Sequence, residues 1–135
     1  MQTSDIRDFA AAMVAVGEGT LLCPESSAAQ LDRGLLGFGA PLDGCATCHS
    51  LDERYNYGLG VVFRGPWLIQ NPLFSGYSGV SAYLPSHKLA IAVANTYGEG
   101  SFDDSGEYAF GNASMLVFEA IAAYLVPDAA TPVAG

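Results

Sequence analysis

Apolar positions recur at helical spacing from the start of the chain. Ile6, Phe9, Ala10, Met13 and Val14 fall at i, i+3, i+4, i+7 and i+8, which predicts an amphipathic helix with one buried stripe. Thr3 or Ser4 offers a capping oxygen, Asp5 sets a negative charge at the positive end of the helix dipole, and Gly17 and Gly19 end the helix. Pro24 suits the first position of a second, shorter helix running to about Arg33, with Leu31 and the Ala28-Ala29 pair as its apolar side. Residues 34–54 lose this periodicity and read as a loop, long for a compact domain.

Beyond the loop the period changes from helical to extended. Residues 57–63 predict a strand, Arg64-Gly65-Pro66 a turn, and residues 67–70 its partner, after which Asn71-Pro72 interrupts. Residues 76–84 and 88–95 predict two more strands about a Pro85-Ser86-His87 turn. From Leu89 to Ala94 large residues occupy odd positions and alanines even ones, the pattern of a strand covered on both faces and packed tightly on its alanine side. An acidic, glycine-rich loop over residues 98–111 leads to Asn112 as the cap of a last helix. That helix carries Ala113, Leu116, Val117, Ala120, Ile121 and Tyr124 at three-to-four spacing and stops at Pro127. Helix, helix, strands, helix is an α+β order. It predicts an antiparallel sheet of about three to five strands packed with the N-terminal and C-terminal helices. Residues 1–127 form one domain and 128–135 a frayed, disordered tail.

Composition narrows the function classes. The 135 residues suit a single domain, and half of them are hydrophobic, enough to offset the ordering entropy. Five Lys and Arg against 14 Asp and Glu leave a net charge of −9, which repels phosphates and argues against nucleic acid or an anionic membrane surface as partner. No run of 18 apolar residues spans a bilayer, and the first residues lack the basic and apolar regions of a signal peptide.

The sharpest short motif is Cys45-Ala46-Thr47-Cys48-His49, the Cys-x-x-Cys-His pattern of c-type haem attachment, in which two thiols bond the vinyl groups and the His ligates iron. The strands expected over residues 57–95 and the lack of an export signal weigh against it. Zinc wants a fourth ligand that the sequence does not offer, since His87 sits in a turn. The plainer expectation is that Cys45 and Cys48 either pair as a short loop disulfide or stay reduced, with His49 a polar loop residue and no cofactor or metal held. Cys23, before Pro24, reads as a half-buried spacer. Asp103, Asp104 and Glu107 miss the alternating spacing of a calcium loop and read as solvated. The chain has no Gly-x-Ser-x-Gly elbow and no Ser-x-x-Lys, because Lys88, its one lysine, follows Pro85 by three. No self-sufficient active site is expected.

The order of motifs resembles a family. Thr3-Ser4-Asp5-Ile6-Arg7-Asp8-Phe9 is similar to the T-x-x-D-L-x-R-F helix of the serine β-lactamase-related, penicillin-binding-protein-like hydrolases, and Leu21-Leu22-Cys23-Pro24-Glu25-Ser26 to their L-L-S-P-E-S segment. Tyr57-Gly58-Leu59-Gly60 matches their Y-G-L-G. Gly76-Tyr77-Ser78-Gly79 through Tyr83-Leu84-Pro85, then Lys88 to Asn95, resembles G-Y-S-x-x-x-x-Y-L-P-x-x-K-L-A-I-x-V-x-x-N, and the closing helix fits as well. The resemblance implies the C-terminal part of a partial β-lactamase-like fold, of esterase or peptidase type. The nucleophilic Ser and the Lys one turn later would lie upstream of this chain, which would be inactive alone. The family's third motif, Lys-Thr-Gly or His-x-Gly on the strand lining the cleft, falls at Gln70-Asn71-Pro72. Gln70 can donate a hydrogen bond there but brings no charge, and Pro72 replaces the small glycine. Gln70, Asn71 and Ser75 are therefore the substrate-cleft candidates. The resemblance further implies, as partner, the missing N-terminal portion of the fold or a second copy. It also implies an exported setting, which suits a Cys45–Cys48 disulfide, and an exposed apolar surface where a missing part would pack.

Overall fold

The computed structural model describes residues 4–45, 48–74, 76–107, 109 and 112–129. Helix α1 runs Ile6–Gly17, and its cap is Asp5 rather than Thr3 or Ser4: the Asp5 carboxylate accepts the Arg7 amide at 2.7 Å, while the Ser4 hydroxyl donates to the Asp5 carbonyl. A carboxylate supplies the capping oxygen and the favourable dipole charge together. Thr3 lies outside the described residues. At the other end Gly19 takes φ +68°, and the Thr20 amide returns to the Ala15 carbonyl at 3.1 Å, a Schellman closure that needs a residue at ease in the left-handed region. Helix α2, Pro24–Gln30, stops three residues short of Arg33. The chain turns there because Leu31 packs toward Met13 and Phe63, and the Arg33 guanidinium lies 4.4 Å over the Phe63 ring while donating to the Gly65 carbonyl. Cys23 is exposed, not half-buried.

The sheet comprises β1 Asn56–Tyr57, β2 Val62–Arg64, β3 Trp67–Gln70, β4 Leu73–Phe74, β5 Tyr77–Leu84 and β6 Leu89–Thr96, all neighbours antiparallel. The strand expected over residues 57–63 is instead a hairpin. Asn56 opposes Phe63 and Tyr57 opposes Val62, with Gly60 at φ +75° in the reversal. Two glycines within three residues let the chain fold back where alternation alone reads as continuous. The expected turn at Gly65-Pro66 is present, with Gly65 at φ +56° as the first central residue of a two-residue loop. Strands β3 and β4 lie in one register against β5, so the six segments fill five positions of a meander, β1-β2-β3/β4-β5-β6.

Two helices cover opposite faces of this sheet. On one face α1 packs Met13, with Val14 and Val16, against Val61, Phe63, Leu68, Tyr83 and Ala90. On the other, helix α3 (Ala113–Leu125) packs Met115, Phe118 and Ala122 against Val62, Trp67, Ile69, Val80, Leu84 and Ile91. The odd–even alternation of β6 therefore sorts as expected, large side chains under α3 and alanines under α1. Close approach on the alanine side extends to Gly17, where an added Cβ would sit 2.2 Å from the buried Tyr83 ring. The expected stripe on α3 is on the wrong side. Leu116, Val117, Ile121 and Tyr124 are exposed, and Met115, Phe118, Ala122 and Val126 are buried. This helix is apolar nearly all round, so periodicity offers two faces and only the sheet selects between them.

Past α3, Pro127–Ala129 forms a 3-10 turn, and the Ala129 carbonyl accepts the Trp67 indole at 2.9 Å. The chain is thus anchored past the expected end at 127; residues 130–135 lie outside the described residues. No helix among those described is long and apolar enough to cross a membrane.

Candidate functional site

Gln70 and Asn71 stand where the central strand breaks. Pro72 lies opposite Gly79 in the β3/β4–β5 ladder and has no N–H to give it. The Gly79 amide reaches the Pro72 carbonyl at 3.0 Å, but the return bond is missing. Asn112 supplies it. Placed at the head of α3, its Nδ2 donates to the Gly79 carbonyl at 3.1 Å, to the Asn71 carbonyl at 3.1 Å and, at 3.4 Å, to the Pro72 carbonyl. It holds the N-cap position of α3, as expected, but its side chain makes no capping bond to the helix. Its Oδ1 is buried with no partner. Replacing Asn112 by Ala should lower the unfolding free energy by about 1–3 kcal/mol in urea titration, because the carbonyls it serves lose their donor in a largely buried place.

Beside this break, Ser78, Ser114 and Asn95 form a polar cluster. The Ser78 and Ser114 hydroxyls are 3.2 Å apart, the Ser114 amide donates to Ser78 Oγ, and Ser114 Oγ donates to Asn95 Oδ1. Both serines are buried, and each hydroxyl is engaged with the α3 terminus or with β6. The cluster ties helix to sheet and carries no base that would make either serine a nucleophile. Sequence inspection missed it and the role of Asn112. The available signal was Pro72 itself, since a proline inside a strand obliges some other donor to serve the opposite carbonyl.

Gln70 faces the α1 side and spends its amide on the β1–β2 hairpin, donating from Nε2 to the Gly60 carbonyl at 2.7 Å. Tyr57, Gly58 and Leu59 of that hairpin wall an open groove of about 400 Å³ whose other side is Ala29, Asp32, Gly34 and Leu35. Neither Gln70 nor Gly60 lines this groove; Gln70 braces the hairpin one residue beyond its wall. Ser75, the third cleft candidate, lies outside the described residues.

The cysteine motif occupies a separate loop. Gly37 and Phe38 exchange backbone bonds with Leu51, Ser50 Oγ donates to the Gly39 carbonyl, and at the tip Cys45 and Cys48 are joined as a disulfide. With the two sulfurs bonded to each other, neither is a free thiol for a vinyl group or a metal. Ala46 and Thr47 lie outside the described residues. His49 sets its ring edge against Tyr55 at 5.7 Å, and the hydroxyls of Tyr55 and Tyr57 are 3.1 Å apart. Burial, then the Tyr57 hydroxyl, pushes the Tyr55 phenol up to about 12. Among the described residues no three His, Cys, Asp or Glu side chains converge as metal ligands. The Asp103 carboxylate accepts from Ser105 and from the Glu107 amide, which holds it below the usual range while it closes its own loop.

The chain contains a cleft-like strand break and a groove, but among the described residues no nucleophile is paired with a base at either. Compared with protein-family models, with curated proteins and with solved structures, it matches none.

Proposed function

We propose that this chain is the C-terminal segment of a β-lactamase-like serine hydrolase of esterase or peptidase type, with Gln70 and Asn71 bordering the substrate cleft. The reading rests on five motifs in family order across residues 3–126. The observation that carries it is Gln70, which places a side-chain donor at the broken end of the central strand, where the family's third motif would fall. Gln70 polarises a substrate carbonyl by hydrogen bonding, without the charge of Lys or His. An upstream segment supplies the serine and its lysine.

Two measurements test this. The chain alone should turn over neither nitrocefin nor p-nitrophenyl acetate, and stoichiometric acylation of any of its serines would overturn the reading. The natural gene product should be heavier than the 14.0 kDa of this chain, and a fluorophosphonate probe should label a serine preceding Met1. A product of 14.0 kDa that takes no label would sink the proposal. A red protein with a Soret band, carrying haem on reduced Cys45 and Cys48, would replace it with the haem-binding alternative.

A further inference from the structure

Strand β6 is an open edge without the usual protections. It pairs with β5 through eight consecutive residues, Tyr77↔Thr96 to Leu84↔Leu89, with no bulge, and among the described residues its other side meets no strand. Natural edges are blunted by charge, proline, bulges or shortness. The sequence Leu-Ala-Ile-Ala-Val-Ala-Asn-Thr has no charge and no proline. The opposite edge, β1, is only two residues long. One edge is protected by its brevity and the other is not.

The helix beside this edge adds an apolar wall. Glu119 pairs with Arg64 of β2, which fixes one flank of α3 toward the β2 side of the sheet. At 100° per residue, Val117, Ile121 and Leu125 lie on the other flank, toward β6, with Tyr124 at its outer margin. They are exposed by 46, 36, 49 and 86 % respectively. Under the same helix, half-buried Leu89 and Val93 of β6 pack against the core.

Charge says what covers it. The chain carries −9 overall, yet no Asp or Glu occurs between Glu53 and Glu99, so β6 lies in the stretch where two copies meet without repulsion. Lys88 stands immediately before β6 and Glu99 soon after it. We propose that this chain forms a two-fold dimer by antiparallel pairing of β6 with the β6 of a second copy, Val117, Ile121 and Tyr124 of α3 packing across the axis. Antiparallel pairing brings each Lys88 to the end of the opposite strand, near the partner's Glu99. The sheet becomes continuous through both protomers, and because β1 is short the assembly closes as a dimer rather than growing into a fibre. This surface is separate from the Gln70 break, and the inference does not rest on the hydrolase reading.

Sedimentation of the full chain over about 1–100 µM tests it, a range that brackets ordinary dimer affinities. The expected species has twice the 14.0 kDa chain mass. Tyr124→Glu, at a site too exposed to affect folding, and Ala94→Lys, which sets a charge on the exposed edge, should each weaken the dimer at least about tenfold. Trp67 emission should stay unchanged in both, as the check that the monomer fold is intact. A monomer throughout that range, whatever other chain then takes the edge, would overturn the inference. So would a dimer that either substitution leaves at its original strength.

Discussion

Replacing Glu119 with Ala should lower the unfolding free energy by about 3–5 kcal/mol, while replacing Arg64 and Glu119 together by Met and Leu should cost little or stabilise slightly. The pair joins β2 to α3 with both side chains largely removed from water, 16 and 14 % exposed. Removing one partner leaves the Arg64 guanidinium largely out of water with its counter-charge gone. Removing both takes away two desolvation penalties together with one attraction. Domains of this size are stable by only about 5–15 kcal/mol, so the single variant should shift the urea midpoint far and the double variant hardly at all. Equal destabilisation by single and double replacements would refute this account of the pair. A surface ion pair such as Arg7–Asp5, with Arg7 89 % exposed, should contribute less than about 1 kcal/mol by the same measurement.

Phe118→Ala should cost a similar amount, about 3–5 kcal/mol, from lost transfer energy and the cavity left behind. Phe118 is fully buried and meets the Trp67 ring edge-on at 5.1 Å, at the point where α3, β3 and the Pro127–Ala129 turn converge. Trp67 is the single tryptophan and is itself fully buried, so its fluorescence reports directly. The variant should show a red-shifted native emission with its urea midpoint lowered. A large stability loss with unchanged emission would mean that the cavity collapses away from the indole. Leu116→Ala, on the exposed side of the same helix, should leave both readouts near the starting values. The contrast between Leu116 and Phe118 tests which face of α3 meets the sheet.

Local chemistry was readable without coordinates where one physical requirement dominated. Gly17 and Gly19 end α1 because the closing residue adopts a left-handed backbone and because the Tyr83 ring leaves no space for a Cβ at Gly17. Gly65-Pro66 makes a hairpin loop because Gly supplies the positive φ and Pro the following negative one. The β6 alternation predicts two covered faces because strand side chains alternate whatever their neighbours are. Residues 34–54 read as irregular, and the described ones among them contain no helix or strand, with an isolated bridge between Leu42 and Cys45.

The misreadings share a cause. Tyr57-Gly58-Leu59-Gly60 suits a strand or a turn about equally, and the pairing of Tyr57 with Val62 decides for the turn. Helix α3 carries two apolar stripes, and the sheet buries the one whose neighbour Glu119 can reach Arg64. Asn112 is the N-cap residue of α3, but with its Nδ2 turned to the Gly79 carbonyl its Oδ1 meets no helix amide. The sheet is covered on both faces by α1 and α3, and exposed apolar side chains lie on the outer side of α3 and along the loop at Leu35, Phe38 and Leu42.

The sequence by itself determined the α+β order of elements, the hairpin turn at Gly65-Pro66, the net acidic charge, and the lack of a Ser-x-x-Lys pair within this chain. Each follows from a residue's own backbone limits or from a periodicity read over a few neighbours. Tertiary structure alone decided which side of α3 is core, that Gln70 serves the Gly60 carbonyl, that Asn112 repairs a strand broken by Pro72, and that Cys45 and Cys48 pair. Each of these depends on which donor meets which acceptor, or which face meets which sheet. Such meetings cross tens of residues, and no local pattern records them.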